Sequence, residues 1–392
     1  MDSSASTLIV AFLVLAAPVL TRAVARWVKV PILVFELVLG IIAGPSVFNW
    51  VQQSDVLANL STFGVDILFF VAGTEVTRSA MHGRTAHRAW LGWVISIAAG
   101  IGAGFLISPG LGAVIIGISL ASTALGTLMP ILRDSGVLGT PLGDSVGAIG
   151  VIGEFGPIFA ISLFLGSRSF GAAGLVLIGF VVVAVLALIQ VSRASHHRLH
   201  DFVEATLHTS AQFAVRAVIA ILTLLVFLAN FLDIDILVGA FTAGILWRLM
   251  IRDADEDTRQ SVEAKIDAVA FGFLVPIFFV YTGIKFDLQA LLHEPLAIAL
   301  IPAFLVGLLV IRGIPSMLAA PEGSTWSEKI SVGLFGATGL PIIVVVSEIG
   351  MQQDVLDSAD AAILVGGGLF SVLIFPLIAV FLRDRAAAPA RT

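Results

Sequence analysis

One buried-looking carboxylate stands in a long apolar stretch. Glu154 lies within Gly143 to Pro157, read as GDSVGAIGVIGEFGP. Among hydrocarbon, a carboxylate carries either a proton or a small cation, because burial disfavours its charged form and a bound cation restores it. An acid at such depth is costly, which leaves two readings: a working group, or a structural glutamate bonded to a neighbouring helix. Gly143, Gly147 and Gly150 precede it by 11, 7 and 4 positions and share its helical face. A glycine seam of that kind predicts a closely packed neighbour. Pro157 removes a backbone donor just beyond the acid.

Two polar interruptions supply candidate oxygens. Ser122, Thr123, Gly126 and Thr127, followed by Pro130, break one apolar segment; Gly336, Thr338, Gly339 and Pro341 break another. Glycine and proline loosen a helix, and freed carbonyls with Ser and Thr hydroxyls are the hard oxygens a small cation takes. Alternatively the hydroxyls bond back to their own helices. Arg312, in LLVIRGIP, keeps its proton and needs an acidic or carbonyl partner, unless it reaches water at a membrane edge. Asp66, in FGVDILFF, reads as a second ion ligand or a structural cap. Glu75 reads as an ion-pair or helix-end residue, and Glu36 as structural.

Several chemistries are excluded. The chain has no cysteine, so disulfides, thiolate metal sites and thiol catalysis are out. No HExxH pattern or phosphate loop occurs, and histidines 82, 87, 196, 197, 200, 208 and 293 all fall in expected loops or linkers. They are solvated surface groups or sensors of cytoplasmic pH. A Ser–His–Asp set would need a histidine at membrane depth. There is no basic aromatic patch for nucleic acid. The expectation is a protein that is not an enzyme and has no cofactor.

The elements that must hold these groups are membrane helices. Of the 392 residues, 58 % are hydrophobic and 12 % charged, against about 25 % charged in a soluble domain. The N-terminus lacks the basic region of a cleaved signal and runs straight into an apolar span. Thirteen apolar spans are expected, near 7–25, 31–49, 61–77, 89–108, 110–133, 140–167, 170–192, 212–231, 235–251, 265–284, 290–312, 329–350 and 360–382. The polar segments 193–211 and 252–264 read as surface helices or loops. Arg22, Arg84, Arg133, Arg193, Arg252, Lys329 and Arg383 fall on one side of this map, and Arg168 and Lys285 on the other. That bias puts the N-terminus outside and the C-terminus in the cytoplasm of a multi-pass cell-membrane protein.

The chain also repeats itself. Ile32-Leu33-Val34 with Gly40-Ile41 answers Ile236-Leu237-Val238 with Gly244-Ile245; LFFVAGTE (68–75) answers FFVYTGIK (278–285); STALGT (122–127) answers GATGLP (336–341). An all-α fold follows, with two inverted six-helix repeats and discontinuous helices in matching places. Residues 1–192 form the first repeat with a linking helix, 193–211 a cytoplasmic linker, and 212–392 the second repeat, with no soluble regulatory domain.

PILVFELVLGIIAGPSVF, LFFVAGTEV, ASTALGTLMPILRDSG, PLGDSVGAIGVIGEFGP, PIFFVYTGIKFDL and VGLFGATGLPIIVVVSEIG occur in this order. Together they resemble the monovalent cation–proton antiporter superfamily, most nearly its antiporter-2 branch of sodium/proton and potassium/proton exchangers. The resemblance implies a dimerisation domain, a mobile core, usually a homodimer, and unwound helices crossing near the ion site. It implies further that Glu154 takes the place of the second acid of the family's Asp-Asp pair. Gly153 stands where that pair, or the Asn-Asp of one-for-one exchangers, has its first member. Arg312 takes the place of a basic residue, usually Lys in electrogenic members and Arg in many electroneutral ones. Thr123 matches the threonine of the first crossing helix, and Glu75 the acid of a Gly-x-Glu sequence.

The expected activity is exchange of sodium or potassium ions for protons across a lipid bilayer by alternating access. Glu154 and Arg312 are its working residues, and Glu154, Thr123, Ser122, Asp66 and Thr338 its ion ligands. One titrating acid beside a fixed positive charge makes one-for-one, electroneutral exchange the simplest stoichiometry. The alternatives are a sodium-coupled organic-anion symporter, or a channel or sensor on the same scaffold.

Overall fold

Backbone in hydrocarbon must satisfy its own hydrogen bonds, so a chain of this composition folds as helices. The computed structural model describes residues 3–25, 30–76, 83–166, 171–184, 186, 212–251, 256–293 and 295–387, and they are helical with short connections. Among the described residues, ten helices are long and apolar enough to cross a membrane; three shorter apolar ones are Ile32–Ala43, Gly171–Ala184 and Ile236–Ile251. The expected linker 193–211 lies outside the described residues. Of the other polar segment, the described part opens the helix Glu256–Val269, which continues through a π-helical turn, Ala270–Leu274, into Val275–Lys285.

The chain forms two compact units. The first comprises Met1–Leu57, Thr77–Ala160 and Phe279–Thr392, the second Ala58–Val76 and Ile161–Phe278. Each draws segments from both sides of residues 193–211.

In the second unit, small residues set the helix approaches. A Cβ on Gly73 would strike the Phe241 carbonyl, and one on Gly244 the Phe70 carbonyl. These reciprocal glycines let the Asp55–Thr74 and Ile236–Ile251 helices touch backbone to backbone. The Arg248 guanidinium bonds the Thr74 carbonyl at the end of the first of them.

The first unit holds the uninterrupted helix Pro141–Phe164 as far as Ala160, and two broken ones. One break separates Leu111–Ala121 from Leu125–Asp134; the other separates Trp326–Gly336 from Pro341–Gln352. The first break is shorter than the sequence suggests. The Leu128 N–H bonds the Ala124 carbonyl at 3.2 Å and restarts the helix there, so Gly126 and Thr127 are helical. The expected seam along Pro141–Phe164 is also not continuous. A Cβ on Gly150 would strike Leu125 and one on Gly143 the Val137 carbonyl, but one on Gly147 would meet nothing within 4 Å. The tight approaches lie further along, where Gly153 faces Thr123 and Gly156 faces the Trp93 ring.

Candidate functional site

The two breaks cross and hydrogen-bond to each other. The Ala124 N–H donates to the Thr338 carbonyl at 2.8 Å. The Thr123 hydroxyl donates to the Gly336 carbonyl at 2.6 Å. A third bond ties this crossing to the uninterrupted helix, as the Thr123 N–H donates to the Gly153 carbonyl at 3.0 Å. Pro157 explains why that acceptor is available. In a regular helix the carbonyl of residue 153 would receive the N–H of residue 157, and proline has none.

Glu154 follows directly. It is 5 % exposed, and its Oε1 accepts from the Gly126 N–H at 3.4 Å. Gly126 lies in the first turn of Leu125–Asp134, where the first N–H groups of a helix are free and its dipole favours negative charge. The break therefore delivers a helix N-terminus to the carboxylate.

Arg312 lies in a π-helical turn, Leu308–Gly313. With 1 % of its surface exposed, it does not reach water, and the membrane-edge alternative fails. Its Nε donates to the Thr123 hydroxyl at 2.9 Å and its Nη2 to the Ile149 carbonyl at 3.0 Å. Nη1 is buried without a hydrogen-bond partner among the described residues. Ser316 donates to the Arg312 carbonyl at 2.7 Å, satisfying backbone in the widened stretch.

The other expected ligands divide. Ser122 and Thr338 are fully buried at the breaks, and their hydroxyls donate to Ser119 and Thr338's own-helix acceptor, the Leu334 carbonyl. That is the back-bonded arrangement, and it leaves oxygen lone pairs on both. Thr123 has spent its hydrogen on Gly336 and one lone pair on Arg312. Asp66 belongs to the second unit; it is buried, and its Oδ1 has no hydrogen-bond partner among the described residues. Glu75 sits just past the end of the Asp55–Thr74 helix, and Glu36 is buried within Ile32–Ala43. His87, expected in a loop, is exposed in the first turn of Arg84–Ile107.

Two features escaped the sequence reading. Ser371 is buried beside the second break, where its Oγ accepts from the Gly339 N–H at 3.1 Å and lies 3.0 and 2.7 Å from the Gly339 and Gly368 carbonyls. A lone serine in GGGLFS carries little signal by itself. Lys285 and Glu348 form an ion pair, beside a small open pocket that Ser347 also lines. Their separation of 63 positions hides the pairing.

Residues 10–382 match the family model described as "Sodium/hydrogen exchanger, transmembrane". The chain belongs to this family. Membership makes it a multi-pass membrane protein of a transporter family. The putative Na(+)/H(+) antiporter YjbQ of Bacillus subtilis is 24 % identical over 386 residues, covering 92 % of this chain and 60 % of that protein. The Na(+)/H(+) antiporter of Enterococcus hirae is 22 % identical, covering 96 % and 98 %. The glutathione-regulated potassium-efflux system protein KefC of Klebsiella pneumoniae is 27 % identical, covering 97 % and 61 %. This family member thus spans about three fifths of the length of YjbQ and KefC. Its fold matches the solved sodium proton antiporter MjNhaP1 of Methanocaldococcus jannaschii with a TM-score of 0.69 at 16 % identity, covering 99 % of this chain and 98 % of that one.

Proposed function

We propose that this protein is a secondary-active antiporter that exchanges sodium or potassium ions for protons across the cell membrane. The observation that carries the reading is Glu154, a buried carboxylate beside a free helix N-terminus where two broken helices cross. A proton and a small cation compete for such a group, and alternating exposure of the loaded carboxylate couples their gradients. Relatives named for sodium/proton exchange and for potassium efflux support both cations as substrates. Ser122 and Thr338 supply oxygens from the breaks. Arg312 holds the crossing and contributes a fixed positive charge. With Gly153 where the pair has its first acid, the exchange is one for one and electroneutral. The protein works as a homodimer of two inverted six-helix repeats, with its N-terminus outside and its C-terminus in the cytoplasm.

The test is proton flux into proteoliposomes, driven by each alkali cation in turn. Sodium- or potassium-driven flux that Glu154→Gln abolishes, with the variant still folded, is the expected outcome. Retained exchange in that variant refutes the carrier role. A current at zero ion gradient refutes electroneutrality. Substrate-dependent sodium uptake without proton movement would favour the organic-anion symporter instead.

A further inference from the structure

The family resemblance implies a missing acid at position 153, and the geometry gives its emptiness a use. A Cβ on Gly153 would lie 2.5 Å from both the Cβ and the Oγ1 of Thr123, and 2.6 Å from Nη2 of Arg312. Carbon atoms do not approach that closely without displacing a neighbour, and neither neighbour is free to give way. Thr123 is held by its N–H to Gly153, its hydroxyl to Gly336 and the bond it receives from Arg312. The Arg312 side chain is fully enclosed and anchored by Nη2 to Ile149. Ile149 lies one turn before Gly153 on the same helix, so the guanidinium lies along that helix where residue 153 would put a side chain.

We propose that Gly153 is a positioning residue: its missing side chain is the space through which Arg312 reaches Thr123 and pins the crossing beside Glu154. A side chain at 153 and the Arg312–Thr123 bond exclude each other. Position 153 therefore decides where the buried positive charge stands relative to the carboxylate. The effect on exchange rests on the antiporter reading above; the pin itself does not.

The experiment uses purified full-length variants read two ways, by thermal melting and by the pH profile of cation-driven proton flux. Thr123→Val keeps the side chain's shape and removes both hydroxyl bonds. Gly153→Ala and Thr123→Val are each expected to lower flux about tenfold, roughly the worth of one charge-assisted hydrogen bond. Both should displace the pH profile in the direction that Arg312→Ala does. Combined with Arg312→Ala, Thr123→Val should move the pH profile no further, and its effect on the melting temperature should shrink to what the lost Gly336 bond alone accounts for. Displacements that add in the double variant overturn the pin, and wild-type behaviour of Gly153→Ala overturns the role of position 153. Should Gly153→Ala fail to fold, it is placed in a chain that carries Thr123→Gly and Arg312→Ala, which lacks both side chains it strikes, and is expected to cost that chain no further stability; a further loss overturns the steric claim. Melting needs no transport. If Glu154→Gln still exchanges, the antiporter reading falls while the melting cycle still decides the pin; if it does not exchange and the cycle is additive, only the pin falls.

Discussion

The two breaks look alike in sequence, and they do different work. The first, at Ser122–Ala124, lies between two buried ionisable groups. It turns a helix N-terminus toward Glu154 and offers the Thr123 hydroxyl to Arg312. The second, at 337–340, meets only neutral partners among the bonds described. Its Thr338 and Gly336 carbonyls serve the first break, and Gly339 is bracketed by Ser371. Broken backbone is tolerated in a membrane only where protein re-satisfies it. Here the amides of both breaks find neutral partners, and what sets the first apart is the Glu154 carboxylate at the helix that follows it and Arg312 on its Thr123 hydroxyl. In the antiport proposed above, the first is the chemical half of the crossing and the second its clamp.

The contrast predicts effects that fall in size from one break to the other. Glu154→Gln should lower cation-driven proton flux at least about a hundredfold, the scale of losing a proton-transfer group. A smaller loss would mean that the first break does not host the exchange. Arg312→Lys should cost roughly tenfold in flux, because an ammonium cannot reach the Thr123 hydroxyl and the Ile149 carbonyl with one rigid fork; wild-type flux would reduce Arg312 to a volume filler. Ser371→Ala should act on stability instead. Stranding the Gly339 N–H costs about 1–3 kcal/mol, so melting should fall while the pH profile of the remaining flux stays put. A displaced profile would move chemistry into the second break. The smallest effects belong to the back-bonded hydroxyls. Ser122→Ala and Thr338→Ala should each change stability by no more than about 1 kcal/mol. If Ser122 lends its oxygen to the cation, its apparent KM should rise several-fold in that variant, and an unchanged KM strikes it from the ligands.

Much of this arrangement was legible in the sequence because membrane folding leaves few options. Apolar length gives the helices, and Gly, Thr and Pro in runs of hydrocarbon mark where they stop. Glu154 and Arg312 stand out because a charge there demands a reason. What was not legible is how helices meet. The glycine seam was inferred from periodicity within one helix, yet Gly147 meets nothing, because packing depends on what the neighbour presents. The Thr123–Arg312 bond spans 189 positions and the Lys285–Glu348 pair 63, and no local pattern encodes either. Gly153 is the sharpest case. Its residue type suggested a lost carboxylate, and only the placement of Arg312 gives the vacancy an occupant.

Pro157 carries a lesson for anyone building such a crossing from scratch. The helix that contains it remains unbroken, and the acceptor it liberates one turn back, at Gly153, is taken by the chain that is broken. Pro157→Ala would hand that acceptor an amide rival from its own helix, loosening a joint in which the substituted side chain has no part. A designer copying only the interruptions would leave out the proline that makes room for them.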